Sequence, residues 1–210
     1  MDTAWEKIYR ANEFLDRDPH PEFRAICDLF RKRNIKRVLD LGSGGGRHAI
    51  LLAEEHFDIY CLDSSATGLA YSMIRFSAKG LSGHFSLFDI AYLPYDRDYF
   101  DGLISIQVIH HNRLNGVIST ISEISRVVRP GGLLWVTMPV SKNEPSKTQE
   151  EIEPGTFVPL DGREKGLPHH YFKEDEIPRL FYEFAIIDLH IDPFNHYSFL
   201  GQRRPREQSI

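Results

Sequence analysis

The sequence predicts an α/β fold with a doubly wound, mostly parallel sheet between layers of helices. Short apolar runs of strand length alternate with longer segments of helical periodicity along most of the chain. Strands that alternate with helices form parallel sheets with right-handed crossovers. Five such units come first, and one more helix and two closing strands follow, which predicts seven strands.

The composition is that of one soluble globular domain. The chain has 210 residues, 41% hydrophobic and 26% charged, and we expect a helical segment at 1–33 before a domain at 34–210. A net charge of −5 argues against a broadly basic nucleic-acid surface. Two cysteines give no disulfide framework. The first residues lack the basic and apolar regions of a signal peptide, and no apolar run approaches membrane-spanning length, so we expect a cytoplasmic protein with no membrane partner. The sequence carries no signal for the oligomeric state.

A glycine-rich turn follows the first predicted strand, residues 38–41. Gly42, Gly44 and Gly46 stand at every second position, and glycine lets the backbone approach a ligand closely. A helix predicted at 45–56 would direct its free N–H groups into this turn. A strand, a glycine turn and a helix N-terminus together indicate a nucleotide-type pocket.

The spacing of the turn distinguishes two classes of ligand. The dinucleotide pattern G-x-G-x-x-G/A fits from Gly44, where Ala49 closes it, but fails from Gly42, where Arg47 stands. The pattern D-x-G-x-G-x-G fits completely from Asp40 to Gly46, and it resembles the first motif of class I S-adenosylmethionine-dependent methyltransferases. A carboxylate suits the ammonium and sulfonium of that cofactor better than it suits a pyrophosphate. We therefore expect S-adenosyl-L-methionine, with a dinucleotide as the alternative.

Later strand ends strengthen the resemblance, which covers about residues 34–140. Asp63 ends the second strand, where either cofactor would use it to hold ribose hydroxyls. Asp89 precedes Leu-Pro-Tyr, which resembles the methyltransferase stretch whose acid faces the adenine amino group. The run R-V-V-R-P-G-G before the fifth strand recurs in the superfamily. The resemblance implies the seven-stranded, Rossmann-like class I methyltransferase fold.

Ligands of such sheets lie beyond the carboxyl ends of the strands, and the expected cofactor residues all fall there. They are Asp40, Gly42, Ser43, Gly44, Gly46, Asp63, Ser64, Asp89, Ile90, Ile106 and Gln107.

The cofactor's sulfonium makes its methyl carbon electrophilic, so the protein has to align a nucleophile with the C–S bond. His110, just past the fourth strand, is the candidate general base; the alternative is that it only hydrogen-bonds a loop backbone. We expect no metal site, because the adjacent pairs His110-His111 and His169-His170 should point in different directions on a helix or strand.

The acceptor side is predicted to come from two variable parts of the chain. Residues 140–171 are polar and follow the fifth strand, so we expect a substrate-side loop that is mobile without ligand and ordered with it. Trp5 and Tyr9, one helical turn apart, are expected to cover the cofactor, although core packing accounts for them equally well. The other substrate-side candidates are His111, His169, His170 and Tyr171.

These observations predict an S-adenosylmethionine-dependent methyltransferase that acts by in-line displacement on a small-molecule acceptor. One alternative is a tRNA methyltransferase, because residues 103–111, L-I-S-I-Q-V-I-H-H, are similar to a stretch in enzymes that esterify carboxymethylated wobble uridine. The net negative charge of the chain does not favour a nucleic-acid partner. The other alternative is a cofactor-binding regulatory protein without catalysis.

Overall fold

The computed structural model describes residues 3–11, 15, 17–141 and 148–206. Its helices are α1 (Ala4–Arg10), α2 (Phe23–Lys32), α3 (Ala49–Glu54), α4 (Ala66–Ala78), α5 (Leu114–Val127) and α6 (Ile177–Leu180). Its strands are β1 (Arg37–Leu41), β2 (Asp58–Asp63), β3 (His84–Leu87), β4 (Phe100–Ile106), β5 (Val128–Pro139), β6 (Gln149–Glu153), β7 (Thr156–Pro159), β8 (His169–His170), β9 (Phe184–Ile191) and β10 (His196–Arg203).

A seven-stranded sheet with the order β3-β2-β1-β4-β5-β10-β9 forms the centre of the molecule. The strands from β3 to β5 pair in parallel, while β10 runs antiparallel to both β5 and β9. This confirms the predicted fold, including the seven strands and the mostly parallel pairing. The carboxyl ends of β1, β2 and β4 therefore meet at one edge of the sheet.

Hydrophobic cores cover both faces of the sheet. Alternate strand residues point to opposite faces, so Leu39 and Leu41 of β1 join a core that includes α5 and α6, while Val38 joins one that includes α2, α3 and α4. Phe30 of α2 is fully buried in the second core. Helix α2 is thus part of the main packing, and the boundary expected at residue 33 stays a prediction.

Two predicted helices are shorter in the structure. The helix expected at 45–56 is α3, Ala49–Glu54, because the positive φ angles of Gly44 (50°) and Gly46 (75°) hold the preceding residues in a turn. The helix expected at about 174–181 is reduced to α6, Ile177–Leu180, whose first turn contains Pro178. Proline lacks an N–H and is compatible with a helix only in its first turn.

The segment expected to be a loop at 140–171 contains regular structure. Strands β6, β7 and β8 form a separate antiparallel sheet. The amide of His170 donates to the carbonyl of His110 at 2.8 Å, which ties β8 to the turn after β4. Residues 142–147 of the predicted loop lie outside the described residues.

Helix α1 is held against the start of α4 by one carboxylate. Glu6 is buried and accepts hydrogen bonds from Ser65 Oγ at 2.7 Å, Thr67 Oγ1 at 2.7 Å and the Thr67 amide at 3.1 Å. Arg10 forms an ion pair with it at 2.9 Å. These hydrogen bonds lower the pKa of Glu6 to about 2. None of the helices in the described ranges combines the length and the hydropathy that crossing a membrane requires.

Candidate active site

A cavity of about 710 Å³ lies beyond the carboxyl ends of β1, β2 and β4. Most of the predicted cofactor residues line it, namely Asp40, Gly42, Ser43, Asp63, Ser64, Asp89, Ile90, Ile106 and Gln107. Its volume falls within the roughly 300–1,000 Å³ usual for small-molecule and cofactor sites.

Asp40, the penultimate residue of β1, is a buried carboxyl group. The residue is 2% exposed, and its Oδ2 has no hydrogen-bond partner among the described residues. Burial raises its pKa to about 7, although the positive charge of Arg47 opposes the shift. A buried carboxylate with a free oxygen is well suited to a cationic ligand.

Asp63, the last residue of β2, links the glycine turn to α4. Its Oδ2 accepts a hydrogen bond from the Gly44 amide at 2.8 Å, and its Oδ1 accepts one from the Ser65 amide at 2.8 Å. Burial outweighs these hydrogen bonds and raises the pKa of Asp63 to about 6. The acid expected to hold the ribose therefore also organises the pocket.

Two predicted turn residues, Gly44 and Gly46, lie outside the cavity lining because protein groups pack against them. A Cβ on Gly44 would lie 2.0 Å from Tyr9 Oη, and one on Gly46 would lie 2.2 Å from Ser72 Oγ. Tyr9 thus lies directly over the turn, where burial raises the pKa of its hydroxyl. The glycines serve the close packing of α1 and α4 on the turn.

The backbone leaves β4 abruptly at Gln107. This residue has φ 60°, which is uncommon for a residue with a side chain, and its amide donates to Thr137 Oγ1 at 2.9 Å. The turn that follows carries His110 and His111 into the cavity wall. Asp89, after β3, is exposed at the cavity rim, and its carboxylate accepts from the Ala91 amide at 2.8 Å.

Three histidine rings meet at the side of the cavity near β8. The ring centroids of His110 and His111 are 3.9 Å apart, and that of His169 is 5.8 Å from the first and 4.8 Å from the second. Burial, reinforced by the neighbouring imidazoles, holds the pKa of His110 well below its usual range and lowers that of His111 to about 3. Both rings are therefore neutral at pH 7.

The expectation that adjacent histidines point apart is wrong for His110 and His111, because they lie on a turn and not on a helix or strand. It holds for His169 and His170 on β8. His169 lines the cavity, whereas His170 does not. The ring of His170 instead hydrogen-bonds Thr156 Oγ1 and Glu176 Oε1, both at 2.9 Å. The prediction that His170 lies on the substrate side is therefore corrected.

The remaining predicted cover residues reach the same cavity. Trp5, Tyr9 and Tyr171 line it, and the Trp5 ring meets the His111 ring edge-on at 4.7 Å between centroids. Tyr171 Oη accepts a hydrogen bond from Gln149 Nε2 at 3.0 Å.

Sequence reasoning missed several lining residues, which lie before α2, in the glycine turn, in the turn after β4, in the segment before β8, and between β9 and the start of β10. They include Arg17, Arg47, His48, Val108, Asn112, Glu164, Phe194, Asn195 and His196. The last turn could have been placed from topology, because His196 starts the strand that pairs antiparallel with the end of β5 at Pro139.

Comparison of the sequence with known proteins identifies a domain family that part of the chain matches. Residues 38–132 match the family model of the methyltransferase domain. The malonyl-[acyl-carrier protein] O-methyltransferase of Salmonella typhimurium is 32% identical over 113 residues, which are 54% of this chain and 43% of that protein. The tRNA (carboxymethyluridine(34)-5-O)-methyltransferase of Arabidopsis thaliana is 32% identical over 109 residues, 51% of this chain and 25% of that protein. The chain thus spans less than half the length of these curated relatives.

Solved structures share the architecture over nearly the whole chain. A SAM-dependent methyltransferase of Methanosarcina mazei matches with a TM-score of 0.76 and 18% identity, covering 90% of this chain and 100% of that chain. A similarity at this level of identity establishes the fold alone.

Proposed function

We propose that this chain is a class I S-adenosylmethionine-dependent methyltransferase that transfers a methyl group to a small-molecule acceptor. The observation that carries the proposal is one cavity lined by two chemically different sets of side chains. The carboxyl groups of Asp40 and Asp63 form one set, and the imidazoles of His110, His111 and His169 form the other. Such a cavity can hold a cationic cofactor and an acceptor next to each other.

The cofactor side of the cavity fits S-adenosylmethionine. The unpartnered Oδ2 of Asp40 offers a carboxylate oxygen to the positive methionine end, and Asp63 offers acceptor capacity to ribose hydroxyls. When bound, this cofactor supplies an electrophilic methyl group for in-line displacement. The residues around it fix its orientation and exclude water, which is the main contribution a protein makes to such a transfer.

We assign His110 as the general base that accepts the proton from the nucleophile of the acceptor. Its ring is neutral because burial holds its pKa low, so a nitrogen lone pair is free to accept a hydrogen bond from a nucleophile. Trp5, Tyr171 and His169 line the same cavity, and the His169 ring centroid lies 5.8 Å from that of His110. These aromatic and polar side chains would hold the acceptor in line with the methyl group.

The coverage of the cavity favours a small acceptor. Trp5 and Tyr9 of helix α1, which Glu6 anchors, line the cavity, and so do Glu164, His169 and Tyr171. A tRNA would need basic surface around the entrance, whereas the chain has a net charge of −5.

The tRNA alternative is kept because one relative supports it. The similarity to the Arabidopsis tRNA methyltransferase extends over 109 residues. Retention on heparin at physiological salt, with weakening as salt is raised, would favour this alternative.

Calorimetry tests the cofactor assignment. Purified protein is titrated separately with S-adenosylmethionine, S-adenosylhomocysteine and NAD, and we expect one-to-one binding of the first two only. Micromolar binding of NAD, with no binding of the sulfonium compound, would overturn the proposal. Cofactor binding without turnover on any acceptor fraction would favour the regulatory alternative.

A further inference from the structure

Three imidazoles converge at one point of the cavity wall. One nitrogen from each of His110, His111 and His169 lies within 4.8 Å of the other two. The proposed methyl transfer needs at most one neutral base there. We propose that these three histidines bind a divalent transition-metal ion, and that Zn²⁺ fits them best.

The hydrogen bonds of two rings orient them as metal ligands are usually oriented. His111 Nδ1 lies 3.1 Å from the Val108 carbonyl, and His169 Nδ1 lies 2.9 Å from the Leu167 carbonyl. A carbonyl oxygen only accepts, so each Nδ1 carries the proton and donates it. Backbone acceptors of this kind fix the tautomer that leaves Nε2 for a metal.

A carboxylate stands next to one of these nitrogens. Glu164 Oε2 lies 3.0 Å from His169 Nε2. With a metal ion on this nitrogen, Glu164 would be a negatively charged neighbour of the ion. Zinc binds imidazole nitrogen and carboxylate oxygen together in many sites.

His110 supplies an independent observation. The residue is 5% exposed, and its Nδ1 is buried with no hydrogen-bond partner among the described residues. A buried polar nitrogen without a partner is costly, so it points to an absent ligand.

The geometry needs only a small adjustment. Zinc–nitrogen bonds of about 2.0–2.1 Å place the ligand nitrogens of a tetrahedral site about 3.3 Å apart. The rings must therefore close by roughly 1.5 Å at most, which side-chain rotation can supply because imidazole χ2 torsions are broad. The cavity side stays open, as in catalytic zinc sites with three protein ligands.

A bound ion would change how the acceptor is activated. It would take the lone pair of His110 that the proposed function assigns to the acceptor, and it would itself lower the pKa of an acceptor hydroxyl. The metal site can be tested with neither cofactor nor acceptor present. Its failure would leave the methyltransferase proposal intact, and the failure of that proposal would leave the metal site intact.

Untagged protein freed of metal by a chelator is titrated with Zn²⁺ in a calorimeter and with Co²⁺ in a visible spectrometer. We expect one ion per chain, the intense absorption bands of tetrahedral Co²⁺, and a higher thermal midpoint with Zn²⁺. His111→Gln and His169→Gln should each weaken Zn²⁺ binding at least tenfold.

His190→Gln is the matched control. His190 is an exposed histidine with two carboxylate neighbours, Glu22 and Asp188, so it reports adventitious surface binding. The His190→Gln variant should bind Zn²⁺ with the same affinity as the wild type. Three results would each overturn the proposal: no one-to-one binding, an octahedral Co²⁺ spectrum in the wild type, or unchanged Zn²⁺ affinity in both His111→Gln and His169→Gln. If a variant fails to fold, the Co²⁺ spectrum of the wild type decides.

Discussion

Asp63 Oδ2 accepts a hydrogen bond from the Gly44 amide at 2.8 Å, so the acid that ends β2 shapes the glycine turn that follows β1. Its other oxygen accepts from the Ser65 amide, which starts α4. One carboxylate thus joins two strand ends and a helix, and we expect it to contribute to both cofactor affinity and pocket shape.

Asp63→Asn should weaken S-adenosylmethionine binding by about 1.5–3 kcal/mol, or roughly 10- to 150-fold, because hydrogen bonds to a charged group are lost. Calorimetry gives the dissociation constant, and circular dichroism gives the folded fraction. The matched control is Asp58→Asn at the start of the same strand, where Asp58 pairs with Arg37 on the surface. An unchanged dissociation constant in Asp63→Asn would show that this acid does not hold the cofactor.

Glu6→Gln should loosen α1 from α4. The substitution keeps the side-chain shape but removes the charge that Ser65, Thr67 and Arg10 stabilise. We expect the free energy of unfolding to fall by about 1–3 kcal/mol in urea denaturation. The surface control Glu54→Gln, which breaks an exposed pair with Lys79, should change it by less than about 0.5 kcal/mol.

The pKa of Glu6 fixes the pH window of this contribution. Because the folded pKa is about 2 and the unfolded value is near 4.5, the stabilisation is complete above about pH 4.5 and is lost as the pH falls toward 2. The difference in stability between wild type and Glu6→Gln should therefore shrink in acid. An equal difference at pH 7 and pH 3 would contradict the role of the charge.

Binding of S-adenosylmethionine should release protons between about pH 6 and pH 7. Burial raises the pKa of Asp40 to about 7 and that of Asp63 to about 6, and a positively charged ligand favours the ionised carboxylates. Affinity should consequently increase as the pH rises through this range. Calorimetry at pH 6.5 in buffers of different ionisation enthalpy measures the released protons.

Asp40→Asn should reduce this proton release, and S-adenosylhomocysteine, which lacks the sulfonium charge, should show less of it. The exposed Asp58→Asn substitution serves as the control and should leave the release unchanged. Equal release in wild type and Asp40→Asn would place the coupled proton elsewhere.

The segment from 148 to 171 is proposed to close over the acceptor. Its contacts with the main domain include the His170 amide on the His110 carbonyl, close to the reacting groups. Hydrogen exchange should slow in peptides from this segment and from Ala4–Arg10 when S-adenosylhomocysteine and an active acceptor fraction are added. Peptides from Val128–Pro139 should not change. Unchanged exchange in 148–171, with turnover observed, would make the segment a connector only.

The sequence predicts the central sheet well because the signals there are local and repeated. Apolar runs mark β1, β2, β4 and β5, and Asp40 and Asp63 mark the ends of two of them. Strand β6, by contrast, reads Gln-Glu-Glu-Ile-Glu, with a single apolar side chain, so its pairing with β7 left no pattern to detect.

The parts of the site that depend on long-range convergence could not be predicted in this way. Glu6 meets Ser65 across 59 positions of sequence, and nothing near either residue indicates the pairing. His169 reaches His110 and His111 only because β8 hydrogen-bonds to the turn after β4. That turn has neither helical nor strand periodicity, so the direction of its side chains could not be inferred.

Transfer of a labelled methyl group tests the central claim most directly. The protein is incubated with methyl-labelled S-adenosylmethionine and either the small-molecule fraction or the tRNA fraction of a cell extract. We expect label to enter the small-molecule fraction, with formation of S-adenosylhomocysteine, and to decrease in Asp63→Asn but not in Asp58→Asn. Label entering only tRNA would contradict the small-molecule acceptor, and no transfer to either fraction despite cofactor binding would contradict both a small-molecule and a tRNA acceptor.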